Sequence, residues 1–98
     1  MHIYEVIWKD QFVNKIESKH KVTTDEVEQV LFRTPHVRRA EKGRVKGEDL
    51  CVAYGRTEAN RYLVVFFVHK RQVAALPISA RDMTQAERRY YERQKEAR

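Results

Sequence analysis

The chain predicts an α+β fold, a two-layer domain in which an antiparallel β-sheet carries flanking helices in the order β-α-α-β-β-β-β-α. Three observations carry that prediction. Two Thr-x-x-Glu sequences, Thr23 with Glu26 and Thr84 with Glu87, mark helix starts, because hydroxyl and carboxylate satisfy each other's backbone donors. Between them the apolar spacing changes from helical to strand-like, and the unbroken run Leu63 to Val68 suits a central strand covered on both faces. A length of 98 residues suits one hydrophobic core and one domain, residues 1–98.

Taken in order, Ile3 to Trp8 alternate loosely and favour a first short strand. Asp10 offers an N-cap for a helix that ends near His20 and carries a narrow apolar stripe of Phe12, Val13 and Ile16. Thr23 opens a second helix with Val27, Val30 and Leu31 on its apolar face, and Pro35 forbids its continuation. His36 to Glu41 and Leu50 to Tyr54 are strands joined by a basic loop containing Gly43 and Gly47, with a turn from Gly55 to Asn60. After the Leu63 to Val68 strand, Gln72 to Ile78 forms the last one, where Pro77 points to an edge or an interruption. A polar helix from Thr84 to about Ala97 places Ala86 and Tyr90 on one face and Arg88 and Tyr91 on another. The helices are expected on one face of the sheet.

Twenty Lys and Arg against fourteen Asp and Glu give a net charge of +6, which attracts polyanions: RNA, DNA or an acidic protein. The charge is concentrated in Arg33, Arg38, Arg39, Lys42, Arg44 and Lys46, which meet only Glu41 between positions 33 and 46. Such a ribbon is either a phosphate-binding surface or simply a solvated one. Cys51 is the single cysteine, so no intramolecular disulfide forms, and its apolar neighbours predict a buried thiol. The longest apolar run is six residues, far short of the ~20 a membrane span needs. The start of the sequence lacks the pattern of a secretory signal, so the cytoplasm is the expected compartment, with no membrane partner.

The four histidines, at positions 2, 20, 36 and 69, are scattered, and neither a metal nor another cofactor is expected. A phosphate-binding glycine loop and a serine nucleophile elbow are also missing. Metal-independent RNA cleavage needs no such motif. It requires a base for the 2′ hydroxyl proton, cations for the phosphorane and an acid for the leaving 5′ oxygen, and basic side chains can fill these roles. His20 is a candidate for proton transfer, because imidazoles as a class titrate near ~6.5; its plainer role is a cation capping a helix end. Arg81 projects between the last strand and the last helix, and Arg88 with Tyr91 can hold a phosphate and stack on a base.

Several segments together resemble the BrnT family of toxins. They are Trp8, Lys19-His20 and Val22; the Tyr54-Gly55-Arg56-Thr57 turn; Leu63-Val64-Val65-Phe66; and Ile78-Ser79-Ala80-Arg81 leading through Thr84 to Glu87-Arg88-Arg89 and Tyr91-Glu92. The resemblance implies a RelE-like ribonuclease toxin that cleaves RNA without a cofactor. It also implies a cognate antitoxin, a BrnA-like ribbon-helix-helix dimer through which alone the toxin would meet operator DNA. Carried over by position, the implied catalytic set is His20, Arg56, Arg81, Arg88 and Tyr91. Lys19 joins Arg38, Arg39, Lys42, Arg44 and Lys46 as RNA-binding candidates. The family pattern has glycine after the Lys-His pair, where this chain has Lys21, a departure that bears on the helix cap at His20. The alternative on the same scaffold is a nonenzymatic module, a degenerate toxin that binds nucleic acid or antitoxin.

Overall fold

The computed structural model describes residues 2–43 and 47–97. The elements run β1 (Glu5–Val6), α1 (Asp10–His20), α2 (Thr24–Phe32), β2 (His36–Glu41), β3 (Leu50–Arg56), β4 (Tyr62–Lys70), β5 (Ala74–Asp82) and α3 (Gln85–Glu96). The α+β class and the element order agree with the sequence. One five-stranded sheet has the order β1-β5-β4-β3-β2. Its β2-β3, β3-β4 and β4-β5 pairs are antiparallel, while β1 lies parallel to β5, so the sheet is mixed. The parallel strand is short: only Glu5 and Val6 pair with Ala74 and Ala75, flanked by Tyr4 N–H to Val73 O and Ile7 N–H to Ala75 O at 2.8 Å.

Strand alternation divides the apolar residues between two faces. On one face Ile16 of α1 and Val27, Val30 and Leu31 of α2 bury themselves against Ala53, Leu63, Val65 and Phe67. On the other, Val52, Tyr54 and Val64 lie with Met83 beneath Tyr90 and Tyr91 of α3. The helices therefore cover both faces, not one. The uninterrupted run in β4 is the reason, since a strand that is apolar on both sides needs cover on both.

Four local expectations change. Asp10 is the first residue of α1 rather than its cap; Lys9 holds the N-cap position without a side-chain bond, and Asp10 contributes its charge to the first turn. Strand β3 runs through Gly55 to Arg56, and the turn is confined to Thr57–Asn60, closed by Asn60 N–H to Thr57 O at 2.9 Å. Gly55 serves close approach instead of a turn: a Cβ there would stand 2.9 Å from Val30 Cγ1. Pro77 marks an interruption, because the register shifts opposite Phe66 and Phe67 and the strand continues past the bulge to Asp82.

Both capping boxes are present, at Thr23 with Glu26 and at Thr84 with Glu87. Lys21 takes the left-handed conformation, φ 55°, with its N–H on Ile16 O, and so does the work of a glycine at the end of α1. Cys51 is buried and free, and burial pushes its thiol pKa up. No helix among the described residues is long and apolar enough to cross a membrane.

Candidate active site

Antiparallel register decides which side chains meet. Arg56 of β3 stands opposite Tyr62 of β4, so both project from the face that α3 covers. The Arg56 guanidinium carbon lies 4.5 Å from the centre of the Tyr62 ring. Arg88 reaches the same ring from α3, at 4.1 Å. Such cation-π contacts contribute about 0.5–1 kcal/mol each where solvent reaches them, and they hold two positive charges close together that would otherwise separate. The Tyr62 hydroxyl donates to Glu92 Oε1 at 2.9 Å, and Tyr91 meets the Tyr62 ring edge-on, with centroids 6.1 Å apart. Three members of the expected catalytic set, Arg56, Arg88 and Tyr91, are thus brought together around a tyrosine that sequence reasoning missed.

Arg81 lies on this face too, within β5 opposite Val64, and not beyond the strand end as expected. Its Nη1 and Nη2 donate to the two carboxylate oxygens of Glu87 at 2.7 and 2.9 Å, and its guanidinium carbon is 5.6 Å from the Phe66 ring centre. The Arg81 bond is the main reason that the Glu87 carboxyl is lowered to a pKa of about 2; Thr84 N–H, which also donates to it, adds to the effect.

His20 and Lys19 end α1, across the sheet from this cluster. The His20 carbonyl accepts from Arg61 Nη2 at 3.4 Å, and the Lys21 carbonyl from Arg61 Nη1 at 3.0 Å. Arg61 also binds Asp82 through Nε at 2.7 Å and Glu26 through Nη1 at 3.0 Å, joining α1, α2 and the end of β5. Its bond lowers the Asp82 pKa, to which the charge of His20 adds.

Strand alternation divides Arg38 and Arg39 of the basic ribbon between the two faces of the sheet. Arg38 stands opposite Val52 on the α3 face, 5.7 Å from the Tyr90 ring centre, whereas Arg39 stands opposite Cys51 on the other and pairs with Asp49 at 3.5 Å. Lys42 is exposed beyond the strand end. Arg44 and Lys46 lie outside the described residues. Sequence reasoning also missed His36, whose Nε2 lies 2.9 Å from the Tyr90 hydroxyl and whose ring centre is 6.0 Å from that of Tyr54. A signal for it existed in alternation, which puts His36 and Arg38 on one face of β2 and Tyr54 and Arg56 on one face of β3.

A cleft of about 250 Å³ opens beside the Arg56 cluster, lined by Arg33, Thr34, Arg56, Thr57, Asn60, Tyr91 and Lys95. No group of three or more His, Cys, Asp or Glu side chains among the described residues is placed to hold a metal ion. Chemically, the α3 face offers fixed guanidinium groups, phenol hydroxyls and an imidazole, which suits binding and polarising a phosphodiester.

Comparison with known proteins gives one family. The family model described as ribonuclease toxin, BrnT, of type II toxin-antitoxin system matches residues 8–87. The match begins at Trp8, whose indole Nε1 donates to Glu28 at 2.7 Å, and ends at Glu87, one residue before Arg88. No curated protein matches the chain.

Proposed function

Because the chain belongs to the BrnT family of ribonuclease toxins of type II toxin-antitoxin systems, we propose that it cleaves RNA at the α3 face by a metal-independent route. The observation that carries this is the pair of guanidinium groups, Arg56 and Arg88, gathered over one tyrosine ring beside Tyr91. In the proposed reaction the 2′ hydroxyl loses its proton and attacks the adjacent phosphorus. The 5′ oxygen leaves as it gains a proton, giving a 2′,3′-cyclic phosphate and a 5′ hydroxyl end. Arg56 and Arg88 stabilise the charge that develops on the phosphorane, each such donor contributing about 10² to 10³ in rate.

Two imidazoles compete for proton transfer. His36 lies on the reacting face with its Nε2 on the Tyr90 hydroxyl, while His20 sits across the sheet near Arg61 and Asp82. We assign the transfer to His36 with Tyr90 and leave His20 the role of helix end. Comparing His36→Gln with His20→Gln decides between them. Arg81, with both Nη atoms bound to Glu87, acts as a positioning residue that fixes the start of α3.

Cleavage of cellular RNA inhibits translation and growth in the cytoplasm, and an antitoxin of the BrnA-like ribbon-helix-helix kind holds the toxin silent and supplies any operator binding. The +6 charge is compatible with RNA and with an acidic antitoxin surface. The test is incubation of the purified chain with total RNA from pH 5 to 9, with and without EDTA. Cleavage under both conditions is expected. Intact RNA throughout would leave the nonenzymatic binding module as the function, and cleavage abolished by EDTA would overturn metal independence.

A further inference from the structure

Beyond the residues assigned to cleavage, we infer that the cleft between Arg33, Arg56 and Lys95 is a subsite for a backbone phosphate of single-stranded RNA neighbouring the scissile one. The inference rests on reading the α3 face as an RNA site, and it recruits Arg33, Thr34, Thr57, Asn60 and Lys95, which the cleavage chemistry does not use. Three cations line this cleft with hydroxyl and amide side chains and without a carboxylate. Each of the other clefts described holds at least one: Glu92 and Glu96, Glu48, or Glu87. In a chain with fourteen acidic residues, a pocket that gathers positive charge alone is suited to an anion.

A second observation is independent of charge. Arg56 Nε is buried and has no hydrogen-bond partner. A buried donor left unpaired costs about 1–3 kcal/mol, more for a charged group, so the group calls for a partner from outside the chain. The Tyr62 contact leaves this donor unused, on a side chain that lines the cleft.

The backbone at the rim adds a third. Thr34 has φ 43° and Asn60 φ 68°. The left-handed region suits Asn but is an outlier for a β-branched residue such as Thr, and strain of this kind collects at ligand sites. Asn60 is held by the turn to Thr57 O, and the buried Thr57 hydroxyl accepts from Arg61 N–H at 3.1 Å, so the rim is fixed before any ligand arrives. One effect opposes anion binding: Arg33 caps the C-terminus of α2 and Lys95 lies in the last turn of α3. Two helix C-termini bring roughly −0.5 charge each, about −1 together, against three full cations, and the cations prevail.

A nucleic-acid phosphate, rather than a carboxylate of a protein partner, is favoured by continuity. Arg56 and Tyr91 belong both to this cleft and to the Tyr62 cluster, so a strand lying across α3 meets the subsite and the cleavage centre in succession.

The experiment uses a fluorescent 2′-O-methyl oligoribonucleotide, which cannot be cleaved by attack of its own 2′ oxygen, and reads anisotropy against salt for the full chain. The Arg33→Gln, Lys95→Gln double variant should bind at least about tenfold more weakly at low salt. The slope of log affinity against log salt should flatten by about 0.7, the value for one lost phosphate contact on a single strand. Lys15→Gln, an exposed cation of α1, should match the parent chain. Parent-like affinity and slope in the double variant would overturn the subsite, as would loss of affinity for an acidic antitoxin peptide with RNA binding intact. Cleavage of ordinary RNA by the parent chain is scored separately. Binding as expected without cleavage supports the subsite and overturns the ribonuclease assignment; cleavage with an unchanged salt slope does the reverse.

Discussion

Arg81 and Glu87 face each other as a two-toothed pair, Nη1 to Oε1 at 2.7 Å and Nη2 to Oε2 at 2.9 Å, tying the last strand to the first turn of the last helix. Glu87 also closes the capping box, accepting from Thr84 N–H at 2.8 Å. One carboxylate thus aims α3, and with α3 come Arg88, Tyr90 and Tyr91. The pairing makes Arg81 a contributor to the stability of the fold. Arg81→Ala should lose about 1–3 kcal/mol, because a charge-assisted pair is broken and a half-buried carboxylate keeps only the Thr84 N–H. At about 4–8 °C per kcal/mol for a domain of this size, the loss is plain in a thermal melt.

The same pair sets an acid limit. The Glu87 pKa is about 2 in the folded chain against 4.5 ordinarily, so between these values the unfolded state takes up the proton and the folded state does not. Its contribution, on the order of 2 kcal/mol after allowance for solvent, is complete above about pH 4.5 and lost as pH falls toward 2. Urea titrations should show the gap between the parent chain and Arg81→Ala at pH 6 closing by about pH 2. A gap that holds constant over that range would mean that the pair contributes nothing electrostatic.

Gly55 lets α2 lie against β3. Gly55→Ala sets a methyl group 2.9 Å from Val30 Cγ1, so the Val30 side chain or its helix must shift, at a cost of about 1–3 kcal/mol. Adding Val30→Ala should return part of that loss, and a double-mutant cycle measures the coupling. Strictly additive effects would place the strain elsewhere.

Lys21 and the Arg71–Gln72 turn carry side chains where glycine or asparagine is easier, with φ of 55°, 51° and 67°. Lys21→Gly should stabilise the chain by about 1 kcal/mol by relieving the left-handed backbone at the end of α1. Asn-Gly in place of Arg71–Gln72 should act in the same direction in the β4-β5 hairpin. Melting temperatures that fall in both variants would argue against strain at these positions.

What the sequence disclosed follows from how far each signal reaches along the chain. Thr23 with Glu26 and Thr84 with Glu87 are local devices, and both helices start where they predict. Gly55 was legible as special but not as to why, since a glycine in a turn and a glycine beneath a packed helix look alike without knowledge of α2. The run of positive charge from Arg38 to Lys42 was counted along the chain, but strand alternation sends Arg38 and Arg39 to opposite faces. The cluster at Tyr62 depends on register across the Thr57–Asn60 turn and on α3 crossing the second face of the sheet. Arg33 and Lys95 lie far apart along the chain, and only the assembled fold places them in one cleft.

The central claim is that RNA is cut at the α3 face, and the cleavage rate of Arg88→Gln under single-turnover conditions tests it most directly. Arg88 is exposed and its main contact is the Tyr62 ring, so stability should change by no more than about 1 kcal/mol. The rate should fall by about 10² to 10³ with the melting temperature nearly kept. A variant that cuts RNA as fast as the parent chain, or that fails only because it unfolds, would contradict the assignment of this face.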